Sequence, residues 1–524
     1  MRSGNEQVEH GFMGRPVEWL RLLDVVCEYA SHCVFSDDKA CAYLHDEQGG
    51  VAFRVCLPAA SPSVSYSILR LHMYDPRTLL PLVRHLCMHI AEWQDQHADA
   101  PVASGTESFV GCDVDALESA LMRYLDRLTT GNYPFFHPSY AGQMLKPPHP
   151  AAILGYWAAQ LINPNNHALD GGPPTSAMEK EAVDALRSMV GFPEDALGHL
   201  TSGGTIANLE ALFVARESHP QKAIGVAPSA HYTHSRMSHV LRTNTASLPT
   251  DDWGRIDPDA LGSTLAEQSI GTVVCTLGTT GLGVVDPLHE ILPLCQQHGV
   301  RVHVDAAYGG FFRLATAPPL ASNTQAAFDA LPQADSVVID PHKHGLQPYG
   351  CGAVLFRDPA VGRFYAHDSP YTYFTSNDLH LGEISLECSR AGATAGALWC
   401  TLQAVPLTKD SGLGPIVRAC LTAARSWTDR LHDEADLTVY AEPETDIVTF
   451  FPIPSAHHTE AVSAHSQRVF DCAMQQEEPV YLSLYSVPSA QFTTHHPAYA
   501  ATTDTVTVLR SVLMKPTHDA YVDT

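Results

Sequence analysis

A lysine that follows a histidine, just past the end of an apolar strand, is the residue of this chain best placed for covalent chemistry. The stretch Ser336–Gly352, SVVIDPHKHGLQPYGCG, opens with a β-branched run that reads as a buried strand. Asp340-Pro341 ends the run, because proline cannot continue a ladder. Lys343 comes next, and Gly345, Pro348, Gly350 and Gly352 keep the chain turning. Partial burial there disfavours the charged form of the amine and makes it a better nucleophile, which is what a Schiff base with a carbonyl requires. Taken by itself, Lys343 reads as a surface lysine on a loop. Three other places in the chain reverse that reading.

The first is Asp305, which ends the strand Arg301–Asp305 and can keep a ring nitrogen protonated. The second is Gly203-Gly204, just before a strong helix pattern over Ile206–Glu217, with Ser202 or Thr205 as cap. Free N–H groups and the positive dipole end make such a turn an anion site, although an ordinary capped helix is the plainer reading. The third is His231, a flat ring able to cover another. An amine for an aldehyde, a carboxylate for a pyridinium nitrogen, a phosphate cradle and a cover are what pyridoxal 5'-phosphate needs. Their order along one chain is a stronger signal than any one of them.

The elements that position these residues alternate. Strands are expected at Ala223–Ala227, Gly271–Thr280, Arg301–Asp305 and from Ser336, with helices at His231–Leu241, Leu288–Gln297 and Asn323–Leu331. This rhythm means a mostly parallel sheet covered by helices, with its site beyond the C-terminal strand ends. Thr279, Asp305 and Lys343 fall at such ends. After residue 400 the order is helix (Gly414–His432), strand (Ile447–Phe451), helix (Ala461–Met474) and strand (Thr505–Leu509), a smaller α+β domain. Residues 1–130 read as mainly helical, with Val17–Ala30 and Ala116–Leu128 amphipathic, and residues 98–106 read as a linker. The chain therefore divides into a helical segment at 1–130, a large α/β domain at 131–400 and a small domain at 401–524.

Composition narrows the function. The net charge is −26, with no basic stripe to neutralise phosphates, so nucleic acid is not expected as a partner. No run of about 18 apolar residues is present, so a membrane is not expected either. The thirteen cysteines lie singly, without a zinc spacing, which fits a reducing cytoplasm better than a disulfide framework. No metal site is expected: HExxH is absent despite twenty-nine histidines.

In chain order the motifs are TSGGTIANLEAL, AHYTHS, TLGTTGLGVVDPL, HVDAAYGGFF and DPHKHGLQPYGCG. Together they resemble the group II pyridoxal-phosphate-dependent amino-acid decarboxylases over residues 130–400, and more loosely beyond. HPSYAGQML, NPNN and a tyrosine-containing loop are similar to the bacterial tyrosine decarboxylase branch. The resemblance implies a fold-type I (aspartate aminotransferase-like) architecture and a homodimer with its sites at the interface. It implies Lys343 as the Schiff-base lysine, Asp305 as the pyridinium partner and Ala307 as the small residue under the ring. His231 matches the stacking histidine. Ser202, Gly204, Thr205 and His342 match positions around the phosphate, and Thr279 a position near the ring substituent.

The stretch His367–Ser376, HDSPYTYFTS, corresponds to the mobile catalytic loop. Its Tyr371, with Tyr373 as second choice, matches the donor that protonates Cα after carbon dioxide leaves. Gln143, Tyr349 and Arg510 are candidates for substrate contact, each with a packing or ion-pair role as the alternative. The implied activity is decarboxylation of an L-amino acid, aromatic by branch. An acidic substrate is the alternative, as are aldehyde formation and carbon–carbon lyase chemistry on the same cofactor. A non-catalytic scaffold is disfavoured by the intact Lys343, Asp305 and His231.

Overall fold

The computed structural model describes residues 34–35, 41–45, 51–56, 75–97, 113–315, 320–366 and 379–522. The chain separates into Met1–Tyr66 and Ser67–Thr524. In the first unit, β1 (Val34–Phe35), β2 (Cys41–His45) and β3 (Val51–Cys56) form an antiparallel sheet. The mainly helical reading of the N-terminal segment did not anticipate it. The helix expected at Val17–Ala30 lies outside the described residues.

The second unit is built on seven strands: β4 (Leu197–Thr201), β5 (Ala223–Val226), β6 (Thr245–Ser247), β7 (Ile270–Thr276), β8 (Arg301–Asp305), β9 (Ser336–Ile339) and β10 (Gly352–Phe356). They lie in the order β4-β10-β9-β8-β7-β5-β6. All pairs are parallel except those of β10, which runs antiparallel to both neighbours. This is the α/β architecture of fold type I. β7, β9 and β10 are buried at every residue, as expected of apolar runs covered on both faces. The register pairs Thr276 with Asp305 and Asp305 with Val338. The C-terminal ends of β7, β8 and β9 therefore open at one level.

β7 stops at Thr276, four residues before the expected end. Gly278, at φ +92°, turns the chain there, so Thr279 lies in a turn rather than on the strand. The helix expected from His231 runs over Thr233–Val240, which leaves His231 in the preceding loop. A second sheet, antiparallel, has the order β11 (Leu437–Ala441), β12 (Ile447–Pro452), β14 (Thr505–Val512), β13 (Ser483–Pro488). Among the described residues no helix is long and apolar enough to cross a membrane.

Candidate active site

A cavity of about 380 Å³ opens beyond the ends of β7, β8 and β9, within the size range of cofactor sites. Among the predicted residues, Ser202, Gly204, Thr205, His231, Asp305, Ala307, His342, Lys343 and Tyr349 line it. They come from four separate stretches of sequence, and the sheet is what gathers them.

One end of the cavity is the start of the helix Gly204–Ser218. Gly203, at φ +145°, takes a conformation that a side chain would strain. The first N–H groups of a helix have no partner within it, and Gly204 and Thr205, at that position, line the cavity. The neighbouring Ser202 N–H donates to Glu387 Oε2 at 3.1 Å. A Cβ on Gly204 would lie 2.6 Å from Asp340 Oδ2, so only glycine admits that carboxylate.

Asp340 is buried, with Oδ2 3.1 Å from Lys343 Nζ and 3.5 Å from His342 Nε2. No described residue bonds its Oδ1. Sequence reasoning had used Asp340 only to end a strand. An acidic residue closing a fully apolar strand was the available signal. His342 Nδ1 bonds the Cys351 carbonyl at 2.7 Å, and burial pushes the ring's pKa down. The turn after Lys343 holds buried Leu346 at φ +64°, a strained position for a non-glycine residue.

At the other end, Asp305 Oδ2 accepts from His234 Nε2 at 2.8 Å, and Oδ1 accepts from the Ala307 N–H at 3.1 Å. Burial opposes the charge on Asp305. The hydrogen bond and charge of His234, the charge of Lys343 and the Ala307 amide outweigh it and hold the carboxyl well below the usual range. In the sequence His234 is one residue of AHYTHS, with nothing local to mark this role. Behind it, His303 bonds Asn208 Oδ1 and Ser336 Oγ, both at 2.9 Å, and burial holds its pKa down at about 3. His231 Nδ1 accepts from the Thr233 N–H at 3.3 Å. Burial lowers its pKa, with Lys343 and His234 adding to that.

Tyr308 also lines the cavity, and its hydroxyl donates to Asp446 Oδ1 at 2.5 Å. Asp446 is fully buried and stands 3.2 Å from His344, the residue after Lys343. A residue just ahead of β12 thus braces two walls of the cavity, a contact that nothing local in the sequence announces.

Three predicted residues sit elsewhere. Thr279 is buried in its turn, where Oγ1 accepts from the Val284 N–H at 3.2 Å, while its neighbours Gly278 and Thr280 line the cavity. Gln143 is exposed and does not line the cavity. Arg510 is 6% exposed. Its guanidinium donates to the carbonyls of Thr280, Gly281 and Gly142 at 2.7, 2.9 and 3.4 Å and to Ser483 Oγ at 3.2 Å. Tyr371 and Tyr373 lie outside the described residues.

Residues 117–452 match the pyridoxal-dependent decarboxylase conserved domain. The chain belongs to that family. It is a pyridoxal-phosphate-dependent amino-acid decarboxylase of group II. The L-tyrosine decarboxylase of Enterococcus faecium is 27% identical over 515 residues, covering 76% of this chain and 84% of that one. The L-2,4-diaminobutyrate decarboxylase of Acinetobacter baumannii is 26% identical over 397 residues, covering 68% and 75%. The crystal structure of Oryza sativa TDC with PLP and tryptamine shares the fold, with a TM-score of 0.66 at 18% identity over 86% of this chain and 97% of that one.

The residues present fit the cofactor of this family. A helix N-terminus with outward amides suits a phosphate. A buried carboxylate held charged suits a protonated ring nitrogen, and a lysine stands between the two.

Proposed function

We propose that this decarboxylase acts on an aromatic L-amino acid, as a cytoplasmic homodimer. Pyridoxal phosphate, when bound, supplies the electron sink that takes up the electron pair left as carbon dioxide departs. The chain's own residues do the rest. Lys343, whose Nζ lies at the cavity, is the amine that would hold the cofactor's aldehyde. Asp305 keeps the ring nitrogen protonated, and His234 keeps Asp305 charged and oriented. His231 and Ala307, which both line the cavity, would hold the ring between them, and His231 would help to orient the substrate carboxylate. Gly204 and Thr205 donate to the phosphate, with Ser202 and His342 beside them. Tyr371, or else Tyr373, returns a proton to Cα.

The observation that carries the aromatic reading is the wall formed by Tyr349. It is 60% exposed, its hydroxyl donates to the Met144 carbonyl at 2.9 Å, and it lines a second cavity as well as the first. That second cavity, about 640 Å³, is lined by Tyr133, Phe135, Phe136, Pro147 and Pro148. A flat apolar side chain finds its surroundings there. An acidic side chain finds less: no arginine lines either cavity among the described residues, Lys146 of the second gives its Nζ to the Met514 carbonyl at 3.4 Å, and Arg510 is occupied by carbonyls.

Support for the homodimer comes from the helix Val114–Gly131, which has no buried residue. Its Leu117, Leu121, Leu125 and Leu128 form one stripe and are 40–50% exposed. A contiguous apolar stripe of that kind marks an interaction surface. The experiment is carbon dioxide release from each common L-amino acid with added cofactor, followed by identification of the amine. Release from tyrosine, tryptophan or phenylalanine is expected. Release from glutamate or aspartate alone would overturn the aromatic reading and leave the reaction class standing.

A further inference from the structure

At the far end of β8 from Asp305 lies a second polar site. Arg301 begins the strand that Asp305 ends, about 13 Å away at four residues of roughly 3.3 Å each. A cavity of about 370 Å³ opens there, lined by Arg301, Arg357, Asp335, Gln296 and Gln333 among others. The sheet builds it: Arg301 opens β8, Asp335 precedes β9, and Arg357 follows antiparallel β10, which brings it to the same edge.

The two guanidiniums are short of partners. Arg301 Nη1 is 3.8 Å from Asp335 Oδ1 and Arg357 Nη2 is 3.9 Å from the same oxygen, both beyond hydrogen-bond length. The other oxygen of Asp335 accepts the Val302 N–H at 2.8 Å. Among the described residues nothing else hydrogen-bonds either guanidinium. Arg301 is only 17% exposed, and Arg357 is 44% exposed. Guanidinium donors left unpaired at a cavity wall can take an oxyanion without giving up a partner within the protein.

The local charge has the opposite sign to the protein. The charges that bear most on Arg301 are Asp335, Asp358, Arg357 and Arg363. With Arg301 itself that is three cations against two carboxylates, in a chain of net charge −26. Two planar donor forks beside two carboxamides suit one compact oxyanion, since guanidinium pairs with phosphate in bidentate fashion. We propose that this cavity binds a phosphate-type oxyanion, either free phosphate or the phosphoryl group of a small metabolite, between Arg301 and Arg357. The proposal is independent of which amino acid the enzyme decarboxylates.

The test uses the holoenzyme, whose cofactor cradle is already filled. Inorganic phosphate and, separately, glycerol 3-phosphate are titrated to about 30 mM at ionic strength held constant with chloride, and the thermal midpoint is read. A millimolar site raises the midpoint by about 2 °C in a chain of this length. Arg357→Gln, at the more exposed position, is expected to lose most of that rise while kcat/KM stays unchanged. Arg301→Lys, which keeps the charge and removes the fork, is expected to lose at least half. The anion with the larger shift identifies the source. No shift with either anion, or the same shift in both variants as in the wild type, overturns the proposal.

Discussion

His234 Nε2 stands 2.8 Å from Asp305 Oδ2, and the imidazole is wholly buried. Because an ionised carboxylate only accepts, Nε2 must carry the hydrogen. In the proposed site the cofactor's ring nitrogen would be served by two residues, one bearing the charge and one fixing its direction. His234→Leu is expected to weaken cofactor binding and to lower kcat by on the order of tenfold to a hundredfold, the scale on which partners of a ligating group act. His234→Gln, which still donates, should recover part of the loss. Cofactor titration by fluorescence alongside kcat checks both. Equal losses in the two variants would reduce His234 to a packing residue.

Lys343 is the proposed covalent anchor. Lys343→Ala should abolish the covalent link and reduce turnover by on the order of a thousandfold or more. Borohydride reduction followed by intact-mass measurement reads the link directly: the wild type gains the cofactor's mass and the variant does not. Full activity in Lys343→Ala would sink the assignment.

Arg510 separates two roles. As a clamp it joins β14 to the turn after β7 and to Gly142. Arg510→Met should then cost about 3 kcal/mol of stability, since three carbonyls lose a charged donor, and leave KM nearly unchanged. Thermal melting and steady-state kinetics on the same preparation decide the matter. A tenfold rise in KM with an unchanged melting midpoint would restore the role of binding the substrate carboxylate.

Asp286 carries a pH signature. It is buried, accepts from the Thr276 and Ile256 N–H groups at 2.6 and 2.8 Å, and burial pushes its pKa up to about 7. In the unfolded chain the group titrates near pH 3.8. Between those values the folded state holds a proton that the unfolded state has lost. The stability from this residue is therefore full below about pH 4 and falls as pH rises to about 7, by about 1.4 kcal/mol per pH unit. Asp286→Asn removes that slope. Urea melts of both proteins at pH 5, 6 and 7 should show the stability difference shifting steadily in favour of the variant.

The strands β8 and β9 were legible to the residue, because short valine-rich runs closed by Asp305 and by Asp340-Pro341 read as strands in an alternating strand–helix order. The family motifs likewise pointed to most of the cavity lining. What the sequence concealed was relational. β10 was hidden because Gly350 and Gly352 read as turn, and an antiparallel strand in a parallel sheet has no local mark. His231 and His234 sit three residues apart in one motif, and only the fold shows that the second meets Asp305. Asp446 reaches Tyr308 from 138 positions away, a distance over which no periodicity speaks. Arg510 looked free to bind substrate because the carbonyls that occupy it belong to distant turns.

β10 also bears on how the chain can be cut or rewired. Its first residue, Gly352, lies so close to Gly203 that a Cβ would meet that backbone at 2.6 Å, and the Cys351 carbonyl just before it holds His342. One short strand therefore stitches the lysine turn to the glycine turn that opens the helix Gly204–Ser218. Split fragments, permuted termini or inserted tags placed between residues 344 and 351 would unpick both together. The same changes at Gly299, where a side chain would meet nothing within 4 Å, leave that seam whole.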